Sequence, residues 1–192
     1  MKALLLNGMR DLNVEITQIH DKTMFLLRTF QFHVNDVPLK DRKIAPCLGC
    51  FECWVKTPGI CKINDYGQKL AELMVQSDLV IHLTPITFGG YSSKLKAVID
   101  RSIPIILPFF RKHKGEIHHK QRYKNRACLI VIGYQENGVY HNEETFKKLI
   151  YRNSLNMAPP VYHVQIVKKG QDLSEFHTEL KACLEEVRAH LE

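Results

Sequence analysis

The chain has 192 residues, of which 45% are hydrophobic and 24% charged, a composition typical of a globular domain rather than a disordered segment. Its formal net charge is +7, but residues 111–126 contain seven basic residues and one acidic residue, so the rest of the chain sums to only +1. A protein that is basic over its whole surface is therefore excluded, and we expect no nucleic-acid partner.

Membrane and secreted classes are also disfavoured. The longest apolar run, Ile103–Phe110, is far shorter than the roughly 18 residues that a membrane span needs. The first residues lack the features of a signal peptide and predict a strand. Six cysteines without such a signal indicate a reducing compartment, where clustered thiols serve metal, redox or catalytic chemistry. We therefore expect a cytoplasmic protein without membrane association.

Short apolar runs rich in β-forming residues predict five strands. In chain order they are Lys2–Leu6, Thr29–Val34, Asp78–Thr84, Ala127–Ile132 and Val161–Val167. The second run alternates polar with apolar residues, which is typical of an edge strand. Apolar residues at helical spacing predict helices at Ile16–Leu27, Asp65–Gln76, Ser92–Arg101, Asn142–Tyr151 and Ser174–Leu191. Asp65 is predicted to cap the second helix, and Ser174 with Glu175 to open the last.

The alternation of strands and helices predicts an α/β domain, with a parallel sheet covered by helices on both faces. We expect one domain over residues 1–192, with a cysteine-rich loop at 46–64 and a basic excursion at 108–126. Ligands of such sheets bind at the carboxyl ends of the strands. The loops that follow the first, third and fourth strands (7–13, 85–92 and 133–141) are therefore the candidates for a site.

Four cysteines stand close together in the chain, with the spacing Cys47-x2-Cys50-x2-Cys53-x7-Cys61. Thiolates ligate iron–sulfur clusters, and such short spacers let one loop surround a cubane. A zinc site is an alternative, and so are free thiols packed as small hydrophobic side chains. Cys128 and Cys183 are predicted to be core residues.

The segment Pro46–Asp65 (PCLGCFECWVKTPGICKIND), together with Ser77–Arg101 (SDLVIHLTPITFGGYSSKLKAVIDR), resembles the flavodoxin-like NAD(P)H-dependent FMN reductases and especially their iron–sulfur flavoprotein branch. The resemblance implies a doubly wound sheet of five parallel strands in the order 2-1-3-4-5. It also implies FMN as cofactor, NAD(P)H as electron donor, and a homodimer or homotetramer. The four cysteines would then hold a [4Fe-4S] cluster.

In that family a P-x-x-x-G loop after the third strand holds the flavin ring. The matching residues here are Pro85, Ile86, Thr87, Phe88 and Gly89. The glycines permit close backbone approach to a flat ligand, while Ile86 and Phe88 would supply apolar or aromatic surface. The alternative is an ordinary βα turn with a glycine pair.

The first loop departs from the family, because it has no hydroxyl side chain before Thr17 with which to hold the FMN phosphate. Gly8 and Arg10 are the candidates for that task, whereas Asp11 and Glu15 would repel a phosphate. In the third loop, Gly133 and Tyr134 are candidate cofactor contacts; Tyr134 would cover the flavin or nicotinamide, or else lie at the surface. Asn137-Gly138 predicts a turn.

The basic excursion is expected to be solvated, with a possible further task of covering the flavin pocket or attracting the phosphates of a nicotinamide cofactor. The leading hypothesis is an FMN-binding oxidoreductase that uses NAD(P)H to reduce a flavin, a quinone or a redox partner, with no side chain assigned as catalytic acid or base. The alternatives are an electron-transfer iron–sulfur flavoprotein and a non-enzymatic scaffold that has lost FMN-phosphate binding.

Overall fold

The computed structural model describes residues 1–10, 13–136 and 142–192. Its strands are β1 (Lys2–Asn7), β2 (His33–Pro38), β3 (Leu79–Pro85), β4 (Ile106–His113), β5 (Glu116–Gln121), β6 (Cys128–Gln135) and β7 (Tyr162–Lys168). Its helices are α1 (Val14–Thr29), α2 (Glu52–Val55), α3 (Tyr66–Gln76), α4 (Ser93–Asp100), α5 (Glu143–Met157) and α6 (Leu173–Leu191). None of the described helices is both long enough and apolar enough to cross a bilayer.

Five strands form one parallel sheet in the order β2-β1-β3-β6-β7. This order is 2-1-3-4-5 once β4 and β5 are left out of the count, so the predicted fold class is confirmed. β2 lies at one edge of this sheet.

Both faces of the sheet are buried, because successive side chains of its central strands point to opposite sides. Leu5, Ile81 and Ile130 pack on one face against α1 and α6. Leu4 and Val80, one residue earlier in the same strands, pack on the other face against α3, α4 and α5. Because both faces are buried, successive residues of β1, β3 and β6 are apolar, which explains the continuous apolar runs in the sequence.

The start of the second strand was predicted wrongly. α1 continues to Thr29, and β2 does not begin until His33. Phe30 and Phe32 are buried at the end of α1, with Gln31 between them in the left-handed region at a φ of 59°. The apolar alternation that suggested a strand there is therefore a helix terminus whose two aromatic side chains turn back into the core.

Helix starts follow local capping. Asp65 caps α3 as predicted, with its carboxylate accepting from the Gly67 amide at 2.8 Å. In the last helix the cap is Asp172 rather than the predicted Ser174–Glu175 pair, since the Asp172 carboxylate accepts from the Ser174 amide at 2.9 Å. The earlier carboxylate serves because it is placed before the first helical turn.

The basic segment is more ordered than a solvated excursion. β4 and β5 pair as an antiparallel hairpin, and its turn at Lys114 and Gly115 has positive φ values of 50° and 81°. His118 is buried, with its ring nitrogens 3.0 Å from Asn156 Oδ1 and 3.1 Å from Glu116 Oε2. The expectation was wrong because the segment pairs with itself as a hairpin and packs on α5, where Arg111 donates to the Leu155 carbonyl at 3.3 Å and Gln121 to the Asn156 carbonyl at 2.7 Å.

One core residue of β3 is titratable. His82 is fully buried, its ring meets the Tyr91 ring edge-on at 5.8 Å, and neither ring nitrogen has a hydrogen-bond partner in the described chain. Burial lowers the pKa of His82 from 6.5 to about 4. Between these values the unfolded chain binds the proton more tightly than the folded chain, so stability falls as the pH falls through this window.

We predict that His82→Leu leaves the free energy of unfolding unchanged or raises it at pH 7.5, because no hydrogen bond is lost. The difference in free energy of unfolding between His82→Leu and wild type should be larger at pH 4.5 than at pH 7.5 by about 2–3 kcal/mol in favour of the variant. This follows from about 1.36 kcal/mol per unit of pKa shift. Urea unfolding at both pH values measures this difference. His33→Gln, at an exposed position of β2, is the control and should follow the wild type. The same pH dependence in wild type and His82→Leu would contradict a neutral buried histidine.

Candidate functional site

The register of the sheet brings the candidate loops to one edge. Asn7, the last residue of β1, is paired with Leu83, and Pro85, the last of β3, is paired with Tyr134. The loops that follow β1, β3 and β6 therefore start side by side, as a ligand site at the carboxyl ends of parallel strands requires.

The first loop is packed against the start of α4. The Gly8 amide donates to the Leu83 carbonyl at 2.7 Å, and a Cβ on Gly8 would lie 2.7 Å from Ser92 Oγ. Glycine is thus required at this position for packing. Arg10 is exposed, while Asp11 and Leu12 lie outside the described residues.

Glu15, in the first turn of α1, is held by two protein donors. Its carboxylate accepts from the Tyr134 hydroxyl at 2.8 Å and from the Gly170 amide at 2.7 Å. These bonds direct the charge of Glu15 toward β6 and the segment after β7. The repulsion of a phosphate that the sequence suggested for Glu15 is therefore partly offset by these two hydrogen bonds.

The loop after β3 forms a tight turn. Thr87 and Gly90 exchange two backbone hydrogen bonds of 2.9 and 2.8 Å, and the residues between them, Phe88 and Gly89, have φ values of 49° and 74°. Phe88 is 93% exposed. A bulky aromatic in the left-handed region costs about 1–2 kcal/mol, and at this exposure the Phe88 side chain gains little burial against the described residues.

Ile86 does not have the place expected of it. Its side chain is buried in the core against the position where Gly133 would carry a Cβ, and its amide donates to the Tyr134 carbonyl at 2.8 Å. Ile86 therefore fixes the loop to β6 instead of presenting apolar surface to a ligand. Phe88 is the exposed aromatic of this loop.

Tyr134 is likewise placed differently. Its ring is 1% exposed and belongs to the core shared with α1 and α6, so neither a surface position nor a cover over a ligand ring describes it. Burial, together with the Glu15 hydrogen bond, raises the pKa of Tyr134 to about 12. Gly133 is required for packing, because a Cβ would lie 2.7 Å from Phe146 Cε1. Asn137 and Gly138 lie outside the described residues.

The four clustered cysteines line one small cavity of about 20 Å³. Cys53 is buried in α2, a helix that begins after Phe51 at a left-handed φ of 55°, whereas Cys47 and Cys50 are exposed. Burial, and then the neighbouring thiols of Cys61, Cys47 and Cys50, raise the pKa of Cys53. The sequence prediction that these four side chains converge is consistent with this cavity.

The thiols are not arranged around a single ion. Among the described residues, no group of three His, Cys, Asp or Glu side chains has the geometry to hold one. Tetrahedral zinc would need sulfur atoms about 3.8 Å apart, from a Zn–S distance of about 2.3 Å. A four-iron cubane is larger and holds its ligands further apart around one loop. Four cysteines around one pocket are the donor set of a four-iron cubane.

A buried ion pair closes the cysteine loop, and the sequence reasoning missed it. The guanidinium of Arg101, which follows α4, donates to Asp65 Oδ1 at 2.9 Å and Oδ2 at 3.1 Å. It also donates to the carbonyls of Ala45 at 2.9 Å and Ile63 at 3.1 Å. Ala45 precedes the loop and Ile63 ends it, so one side chain fixes both ends.

Aromatic contacts attach the same loop to the hairpin. Trp54 Nε1 donates to the carbonyls of Ile103 and Ile106 at 3.1 and 3.0 Å. The Trp54 ring lies 5.0 Å from the Phe51 ring and 5.0 Å from the His119 ring, and His119 lies 4.8 Å from Phe110. The chain order did not predict the contacts of Trp54 with Ile103, Ile106 and His119, because they join segments about 50 residues or more apart.

The chain matches a known protein family over most of its length. Residues 4–169 match the NADPH-dependent FMN reductase family. The chain belongs to this family. The resemblance seen in the sequence is therefore confirmed.

Two curated relatives are iron–sulfur flavoproteins. The one from Methanocaldococcus jannaschii is 36% identical over 78 residues, which cover 41% of this chain and 39% of that protein. The one from Methanosarcina thermophila is 32% identical over 72 residues, which cover 38% of this chain and 37% of that protein. The chain thus matches less than half the length of these relatives.

Solved structures share the fold at low identity. An NAD(P)H:quinone oxidoreductase from Methanothermobacter marburgensis has a TM-score of 0.67 at 11% identity, covering 100% of this chain and 98% of that one. An FMN-dependent NADH-azoreductase from Bacillus anthracis, in complex with FMN, has a TM-score of 0.66 at 14% identity, covering 99% and 98%. This likeness shows that the flavodoxin-like architecture extends over the whole chain.

Proposed function

We propose that this chain is an FMN-binding oxidoreductase that accepts electrons from NAD(P)H and passes them to a small-molecule or protein acceptor. The observation that carries the proposal is the turn Thr87–Gly90, which exposes an aromatic side chain in a left-handed conformation where the β1, β3 and β6 loops meet. Strain of this kind is characteristic of ligand sites. Membership of the FMN reductase family supports the same assignment.

The residues present fit a flavin. The amides of Phe88 and Gly89 carry no hydrogen bond to the described part of the chain, so they are free to donate to the polar edge of the ring system. The Phe88 ring supplies an aromatic contact. Arg10, exposed before α1, and the amino end of that helix would hold the phosphate. Gly8 and Gly133 let neighbouring elements approach closely behind the loops.

FMN, when bound, supplies the site that accepts a hydride from the nicotinamide. The protein's part is to bind and orient: the two core glycines, the Ile86 amide and the Ser92 cap keep the loops in place. No titratable side chain among the described residues of the loops is placed as an acid or base for the transfer.

We further propose that the four cysteines of the pocket hold a [4Fe-4S] cluster. Its support is the one cavity that all four cysteines line, with Arg101 on the same wall. Such a cluster transfers single electrons.

The homodimer or homotetramer implied by the resemblance stays a prediction. Phe109 and Phe110 of the hairpin are exposed, as a subunit interface there would require.

We predict that Phe88→Gly weakens FMN binding about 3- to 10-fold, the loss of an aromatic contact of about 0.5–1.5 kcal/mol. The same change should leave the free energy of unfolding of the flavin-free protein unchanged or higher by about 1 kcal/mol, because glycine relieves the left-handed strain. Fluorescence titration with FMN and urea unfolding measure the two effects.

Gln31→Gly is the matched control, since Gln31 is also exposed and left-handed but lies at the other end of α1. It should gain or keep stability and bind FMN as the wild type does. Equal affinity in Phe88→Gly and wild type would refute the role of this loop. A wild-type protein that is colourless after incubation with FMN and removal of the unbound flavin would favour the non-enzymatic scaffold.

For the cysteine pocket, we predict that anaerobically reconstituted wild type holds about four iron atoms per chain and that Cys50→Ser loses them while keeping FMN. Iron analysis and the visible spectrum measure both. Cys183→Ser, on α6 outside the pocket, should keep iron and FMN. Iron content that is the same in Cys50→Ser as in the wild type would rule out the cluster.

A further inference from the structure

Arg101 has more hydrogen-bonding capacity than the loop ends use. Its two terminal nitrogens make the four bonds to Asp65, Ala45 and Ile63, all within a residue that is 2% exposed. The remaining donor, Nε–H, is buried and has no partner in the described chain. A buried donor without a partner costs about 1–3 kcal/mol, which is unusual for an otherwise saturated guanidinium.

The Arg101 side chain also lines the cysteine pocket. Arg101 lines the same cavity as Cys47, Cys50, Cys53 and Cys61. The buried guanidinium therefore lies on the inner wall of a pocket that holds Cys53 in its interior and Cys47 and Cys50 at its exposed side.

We propose that Arg101 is a positioning residue that donates its Nε–H to the sulfur side of the group held by the four cysteines and thereby raises the reduction potential of that group. The inference rests on the proposed [4Fe-4S] cluster. One electron enters the cluster on reduction and makes it more negative, while the guanidinium keeps its proton throughout. A cationic donor beside the sulfur atoms stabilises the more negative state, and hydrogen bonds to sulfur are among the determinants of cluster potential.

The position of Arg101 in the fold gives this contact a second consequence. α4 has eight residues and is about 12 Å long at 1.5 Å per residue. Its first turn is capped by Ser92, whose amide donates to Thr84 Oγ1 at 2.9 Å beside the candidate flavin loop. Arg101 follows its other end. The side chain that would set the potential of the cysteine site thus also fixes the separation of that site from the flavin loop.

The test compares midpoint potentials in anaerobic spectroelectrochemical titrations of the iron-loaded, FMN-bound protein. Arg101→Gln should lower the potential of the cysteine-bound centre by at least tenfold in the one-electron equilibrium constant, about 59 mV. Arg101→Gln with Asp65→Asn removes both charges and should give a smaller shift in the same direction. Arg101→Lys, which keeps the charge, should recover part of the potential. The control Lys56→Gln, an exposed position, should give no shift.

If Arg101→Gln fails to fold, the potential of the double variant tests the role of Arg101, because the double variant leaves no unpaired buried carboxylate. Potentials equal to the wild type in both the single and the double variant would overturn the role of Arg101 while leaving the cluster in place. Wild-type protein that binds FMN but no iron after reconstitution would overturn this inference and the cluster together, and would leave the flavin proposal standing.

Discussion

The buried ion pair between Arg101 and Asp65 is the interaction on which the candidate site depends most. The loop between Ala45 and Ile63 has one helix of four residues and no strand among its described residues, so little regular structure holds it. Desolvating two charges is expensive unless geometry and hydrogen bonds compensate. Here both carboxylate oxygens and two carbonyls meet the guanidinium, and the Ala45 and Gly67 amides donate to the same carboxylate.

The pair matters for function because of what α4 connects. At one end of this helix lie Ser92, Gly8 and the turn that exposes Phe88; at the other lies the cysteine cavity. α4 therefore joins the two regions as one continuous helix. The parallel register of β1, β3 and β6 then adds the remaining loops to the same edge.

Local signals in the sequence were sufficient for much of this architecture. Continuous apolar runs predicted the buried strands, and the Asp65 cap predicted the start of α3. Sequence patterns could not predict the long-range contacts. In the sequence, Arg101 resembles any charged residue at a helix end, and only the fold brings it to Asp65. Tyr134 and Ile86 were assigned to a ligand because their loops lie at the right edge, although side-chain direction depends on strand register.

The central physical claim is that Arg101 and Asp65 act as one unit in holding the cysteine loop. A double-mutant cycle on the metal-free protein, with Arg101→Gln, Asp65→Asn and the double variant measured by urea unfolding, tests it most directly. Either single change should cost about 3–5 kcal/mol, and the double variant should cost less than the sum of the two by about 2 kcal/mol or more. Effects that add to within about 0.5 kcal/mol would contradict the claim, because independent residues behave in that way.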